Sequence, residues 1–218
     1  MSNVTPEEEI DLSVAKEEVN NINKLLEEFN KKTGCKYKLD INYFNQMDEN
    51  VEITAHHELN EETLLLCAFN NDVCVSSIII EYNNGYITIF SHTKKQREGN
   101  KLNKLLRAVI IIIARTIYAD AKYILSDAVN PTSAYLMMKY FNAEGRDDRM
   151  EVPTHFRDYI EKHRALEVTI ELNDVNIENA KTVFDKTINE LTCVEKNGGR
   201  KRSKKNKKYR RSRKKTRR

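Results

Sequence analysis

Apolar positions near the start of the chain recur with a helical period and then give way to strand-like runs. Val19, Ile22, Leu26 and Phe29 lie three and four residues apart, which places them on one helix face. Thr5-Pro6-Glu7-Glu8 offers a cap, a proline at the first helical position and a glutamate three residues after the cap, so the helix, in one or two pieces, is predicted to begin there. It should end near Lys32, with Gly34 as its C-cap. Strands are then predicted at Lys38–Phe44, Val51–Leu59, Thr63–Phe69, Val73–Tyr82 and Tyr86–His92. Asn83-Asn84-Gly85 separates the last two and is a strong hairpin signal, so residues 73–92 should form an antiparallel pair.

A long helix is predicted from Asn100 to Tyr118, with Leu102, Leu105, Leu106, Val109, Ile112, Ile113 and Ile117 on a broad apolar face. The four isoleucines 110–113 would suit a strand, because β-branching restricts χ1. Their flanks read as helix, so the run implies a helix buried on most sides. Ala121–Val129 follows as a buried strand. Asn130 and Pro131 then cap and open a helix reaching Phe141. Pro153–Arg164 is a charged, helical stretch. Leu166, Val168, Ile170 and Leu172 alternate with polar residues as a half-exposed strand, and Ile177–Leu191 is a last amphipathic helix. This order is α+β or mixed α/β, and the strand–helix–strand step across residues 86–129 is predicted to be a right-handed parallel crossover.

Composition narrows the classes. With 39% hydrophobic and 32% charged residues the chain is too apolar for wholesale disorder and too polar for a membrane protein. No run approaches the ~18–20 apolar residues of a bilayer span, and the N-terminus lacks the basic and apolar regions of a secretory signal. The net charge of +4 conceals two opposed parts. Residues 200–218 hold 14 bases and no acid: Arg200, Lys201, Arg202, Lys204, Lys205, Lys207, Lys208, Arg210, Arg211, Arg213, Lys214, Lys215, Arg217 and Arg218. Removing these from the chain's 37 Lys and Arg leaves 23 bases against 33 acids, an acidic body of −10. Gly198-Gly199 marks the junction. The tail has one aromatic, Tyr209, and self-repelling charge, so it is predicted to be disordered and to bind DNA or RNA through phosphates without reading sequence. Nuclear import is a second reading of the same residues, and docking onto the acidic body is a third.

The four cysteines (35, 67, 74 and 193) show no metal-ligand spacing and are expected to be free thiols in a soluble intracellular chain, with no metal site. His56 and His57 would point to opposite faces of a strand, and His155 and His163 lie in the charged stretch, so all four read as structural or surface residues.

Chemistry concentrates in the turn before the long helix: Gln96-Arg97-Glu98-Gly99-Asn100-Lys101. The amides and dipole at a helix N-terminus make an anion site, Lys94, Lys95, Arg97 and Lys101 add positive charge, and Gly99 lets the backbone approach a pyrophosphate. An ordinary solvated turn is the alternative. Here the chain resembles the GNAT acyltransferase superfamily, over roughly residues 51–145. The family fingerprint, Gln/Arg-x-x-Gly-x-Gly/Ala between a strand and a helix, matches Gln96, Gly99 and Lys101, with Lys101 replacing the second small residue. Leu105-Leu106 stands where the family shows a Leu pair, and Asn130 with Ser133-Ala134 matches its Asn-led helix.

The resemblance implies a GNAT-like mixed, mostly antiparallel sheet flanked by helices. The chain divides into an N-terminal helical segment (1–35), an acyl-CoA-binding domain (36–195) and the disordered basic tail (196–218). It also implies acetyl-CoA as cofactor, held by Phe90, Ser91, Gln96, Arg97, Glu98, Gly99, Asn100, Lys101 and Asn130, and transfer of its acetyl group to an amine (a protein lysine, a peptide N-terminus or a polyamine). The amine would attack the thioester, and an amide near the end of strand 86–92 would stabilise the oxyanion. The family's Tyr seven residues after the Asn, acid to the leaving thiolate, is replaced by Met137; Tyr135 and Tyr140 lie nearby but off register. His92 and Glu81 are the candidate bases. The alternative is a GNAT-like module without turnover that acts through its tail.

Overall fold

In the computed structural model residues 12–46, 63–93, 101–128, 131–145 and 166–192 are described. The first amphipathic segment forms α1 (Ser13–Thr33) and ends at Gly34, whose φ of 74° is the left-handed conformation that glycine adopts without strain. Its predicted start at Thr5 lies outside the described residues. Ala15, Val19, Ile22 and Leu26 are buried on one face. Beside them, two asparagines one heptad apart grip the neighbouring strand. Asn23 bonds the N–H and C=O of Leu39 at 2.7 and 2.8 Å, and Asn30 those of Tyr37 at 3.0 and 2.7 Å. Side-chain amides thereby satisfy backbone groups that an edge strand would otherwise expose.

That edge strand is β1 (Tyr37–Tyr43), followed by a 3₁₀ turn at Phe44–Gln46. β2 (Leu64–Asn70), β3 (Val73–Asn83) and β4 (Tyr86–Thr93) continue as an antiparallel meander. The predicted hairpin is present: Asn84 and Gly85 both have positive φ (49° and 85°), as a tight two-residue connection requires. Next come α2 (Leu102–Ile117), β5 (Tyr123–Ala128), α3 (Pro131–Phe141), a two-residue β6 (Glu144–Gly145), β7 (Leu166–Glu171) and α4 (Asp174–Glu190). The isoleucine run is helical, with Ile110, Ile111 and Ile113 all buried. α4 starts earlier than predicted because Asn173 caps it, its Oδ1 accepting the Asn176 N–H at 2.9 Å. The strand predicted at 51–59 and the helix at 153–164 lie outside the described residues.

The seven strands order as β1-β2-β3-β4-β5-β7-β6, and β4–β5 is the one parallel pair among them. Among the described residues the sheet is thus mixed and mostly antiparallel, flanked by α1, α2, α3 and α4, as the α+β assignment expects. The main core lies between one sheet face and α1 and α2, with α4 packed along α2. A smaller cluster of Leu65, Cys67, Cys74 and Ile79, joined by Phe44, Phe69 and Phe90, is separate from it. The expectation of free thiols is corrected at one position: Cys35 is disulfide-bonded, whereas Cys67 and Cys74 are free and buried. Cysteine spacing carries no information about pairs brought together by tertiary structure, so this bond has no sign in the sequence. The Cys67 thiol is pushed well above its usual range by its hydrogen bond to Cys74 and by burial.

Candidate functional site

The site is built around the parallel step. β4 and β5 pair at only three positions: Tyr86 with Tyr123, Ile87 with Ile124 and Thr88 with Leu125. Past Thr88 each strand keeps its other neighbour. β4 stays paired with β3 as far as Thr93–Ser76, and β5 with β7 as far as Ala128–Leu166. A gap therefore opens between the C-terminal ends of β4 and β5. The Gly85 carbonyl accepts from the N–H of Lys122 and Tyr123, so odd-numbered residues of β4 turn their backbone groups toward β5. Beyond the last pair, the N–H and C=O of Ile89 and Ser91 face the gap.

α2 begins beside this gap with an unusual first turn. Lys101 precedes it at φ 68°, a left-handed conformation costly for any residue with a Cβ. No side chain caps the helix and no acid lies in its first turn. Instead Lys104 is buried there, 6% exposed, with its Nζ 3.9 Å from the centre of the Tyr140 ring and 3.9 Å from Glu190 Oε2. Burial draws its ammonium below the usual lysine range. Lys101 Nζ meets the same Glu190 oxygen at 2.6 Å, and that hydrogen bond holds the carboxyl below its usual value.

One turn further along α2, Arg107 is 2% exposed. Its Nε donates to Asn103 Oδ1 at 2.8 Å, and its Nη2 donates to Ser91 Oγ at 2.8 Å and Ser133 Oγ at 3.0 Å. The guanidinium thus joins the far end of β4 to the first turn of α3. All three acceptors are neutral, and burial draws its pKa down to about 10. Nη1 is buried without a hydrogen-bond partner.

The sequence-predicted residues distribute unevenly around this gap. Ser91 lies on it, and Lys101 stands at the start of α2. Phe90 is half-buried and packs with the smaller cluster. Gln96, Arg97, Glu98, Gly99, Asn100 and Asn130 lie outside the described residues, as do the side chain of His92 and the basic tail. Glu81 is half-buried on β3 opposite Thr88. Tyr135 is exposed and its hydroxyl accepts from Lys139 Nζ at 2.6 Å; Tyr140 lies beneath Lys104. Met137, at the position of the family's tyrosine, is fully buried in the main core. Arg107 and Lys104 were missed, although both interrupt the apolar face of α2, Lys104 just before Leu105 and Arg107 between Leu106 and Ala108. A cation within a buried helical stripe is the signal that could have found them.

The strand order, the single parallel step among the described residues and the gap it opens agree with the mixed, mostly antiparallel sheet that the resemblance implies. No protein-family model and no curated protein sequence matches the chain. Among solved structures it is similar to the ribosomal-protein-S18-alanine N-acetyltransferase from Escherichia coli (13% identity over 62% of this chain and 95% of that one, TM-score 0.45). It is also similar to an acetyltransferase from Bacillus subtilis in complex with CoA (14%, 62% and 100%, TM-score 0.46) and to an IAA acetyltransferase from Bacillus cereus (12%, 62% and 99%, TM-score 0.42). Among the described residues no helix is long and apolar enough to cross a membrane, and no cluster of His, Cys, Asp and Glu could hold a metal ion.

Proposed function

We propose that the chain is an acyl-CoA-dependent N-acyltransferase, with acetyl-CoA as donor and an amine as acceptor. The observation that carries this reading is the three-residue parallel pairing of β4 with β5, which leaves strand-edge amides facing a gap beside the N-terminus of α2. The residues present fit the cofactor. Strand-edge N–H and C=O groups at Ile89 and Ser91 suit the amides of a pantetheine arm, a form of β-augmentation. The first turn of α2, with Lys101 and Lys104 and, as the resemblance implies, residues 96–100, suits its phosphates. Phe90 and Asn130 complete the proposed contacts.

Bound acetyl-CoA would supply an acyl group activated for attack by nitrogen. A backbone N–H on the edge of β4, at Ile89 or Ser91, would hold the negative charge that grows on the carbonyl oxygen. An ammonium acceptor must first lose a proton, and His92 and Glu81 remain the candidate groups for that transfer. The acidic body favours a cationic acceptor such as a lysine side chain, a peptide N-terminus or a polyamine. Gly99→Asp places a carboxylate in the phosphate turn, and it should abolish CoA binding while leaving the circular dichroism unchanged. Unaltered binding would remove the assignment of that turn.

The buried Met137 favours a second reading, a GNAT-like binding module without turnover, because no hydroxyl stands there to protonate a leaving thiolate. In either case residues 196–218 form the proposed appendage that tethers the chain to DNA or RNA or directs it to a nucleus. Deleting residues 200–218 should remove retention on nucleic acid at moderate salt; retention by the truncated chain would refute that role.

A further inference from the structure

A single nitrogen of Arg107 donates to two hydroxyls that belong to the two elements flanking the gap. Its Nη2 lies 2.8 Å from Ser91 Oγ and 3.0 Å from Ser133 Oγ. Ser91 stands on β4 beyond Thr88, the last residue of that strand paired with β5. Ser133 stands in the first turn of α3, the helix that follows β5. Nε donates to Asn103 Oδ1 at 2.8 Å, one turn earlier on α2, which fixes the plane of the guanidinium. One side chain of α2 therefore ties the far end of β4 to the start of α3.

As a source of stability the arrangement is poor. The three acceptors are neutral, and Nη1 is buried without a partner. Among the described residues no carboxylate forms an ion pair with Arg107. An apolar side chain of similar volume fills such a space without the desolvation cost. What it does not do is hold two separate elements at a fixed spacing, and the gap needs that hold. Register fixes β4 against β3 as far as Thr93 and β5 against β7 as far as Ala128. Neither ladder sets the spacing between β4 and β5 once their own pairing stops. Their unpaired edges are free to close on each other or to part.

We infer that Arg107 is a positioning residue of the proposed acyl-CoA site. By holding Ser91 and Ser133 on one nitrogen, it sets the width at which the edge groups of Ile89 and Ser91 stand open to a pantetheine arm. This rests on the acyl-CoA reading above and adds to it the frame of the same site. Arg107 acts through β4 and α3 and is assigned no contact with the cofactor. The phosphates stay with the first turn of α2, at Lys101 and Lys104.

The test is calorimetric titration of acetyl-CoA into the full chain, for the wild type, Arg107→Met, Ser133→Ala and Ser133→Thr, with urea denaturation of each. Ser133→Ala removes the α3 end of the bridge and leaves the charge of Arg107 in place. R107M should weaken acetyl-CoA binding by on the order of tenfold, the effect of a displaced binding edge, and S133A by at least about fivefold. S133T keeps the hydroxyl and should bind within about twofold of the wild type. The urea midpoints of S133A and S133T should coincide, so that the loss of affinity is not a loss of fold. Undiminished affinity in S133A would overturn the inference, whether or not R107M is weakened, because the charge and not the bridge would then matter. An S133T as weak as S133A would overturn it too. If R107M does not fold, the comparison of S133A with S133T decides. Failure of the wild type to bind acetyl-CoA would overturn the acyl-CoA reading itself, an outcome distinct from wild-type binding that the variants leave unchanged.

Discussion

The Arg107 guanidinium and the Ser91 hydroxyl lie 2.8 Å apart, and this contact closes the span between α2 and the unpaired end of β4. Its energetic consequence is testable without any ligand. Burial draws the Arg107 pKa down to about 10, so holding the guanidinium charged in the core carries a desolvation cost. Three hydrogen bonds to neutral groups offset part of that cost. Replacing Arg107 by Met removes both contributions, so urea denaturation should place R107M within about 1 kcal/mol of the wild type. An arginine paired with a buried carboxylate would instead cost about 3–5 kcal/mol on removal. A loss of that size would show that its charge is compensated.

Lys101 occupies a position where the backbone requires left-handed geometry. Lys101→Gly relieves the Cβ strain and should stabilise the fold by about 0.5–1 kcal/mol. It also removes the partly exposed Lys101–Glu190 ion pair, whose contribution is small because solvent screens it. Lys101→Ala loses the ion pair and keeps the strain, so it should be no more stable than the wild type. Thermal unfolding of the two variants separates the effects. A K101G midpoint at or below that of K101A would contradict this account of the turn.

Met137 is fully buried, so restoring the aromatic hydroxyl of the fingerprint family there is not a simple gain of function. Met137→Tyr adds volume and a buried hydroxyl to a packed core and should destabilise by about 1–3 kcal/mol. Denaturation midpoints check the stability. A variant as stable as the wild type would mean that the α3 face is less closely packed than its burial indicates.

Much of the fold was legible because its signals are local. The period of Val19, Ile22 and Leu26 gives α1, Gly34 marks its end, and Asn84-Gly85 turns the hairpin. The helical flanks of Ile110–Ile113 outweigh the β-branching of the run, since burial on several sides rewards apolar bulk whatever its propensity. Signals that depend on partners distant in sequence were not legible. Asn23 and Asn30 carry no local mark of their role, yet they bond the backbone of β1. β6 is two residues long and exists only through its pairing with β7, and the disulfide at Cys35 has no local signature. In the candidate site, Ser91 and Lys101 are two of the residues expected from the resemblance that lie beside the gap or at the start of α2. Arg107 and Lys104 went unassigned because a helical wheel does not say which charged residue on an apolar stripe is drawn inward. The splay of β4 from β5 is likewise a property of register, and composition does not encode it.

The central claim, that the gap between β4 and β5 receives an acyl-CoA, is tested most directly by titrating acetyl-CoA into the full chain at moderate salt in a calorimeter, with CoA as a second ligand. The account predicts saturable binding of one equivalent in the micromolar range, weakened by Gly99→Asp. Absence of saturable heat at millimolar ligand would contradict it and leave an α+β scaffold whose gap serves some other purpose.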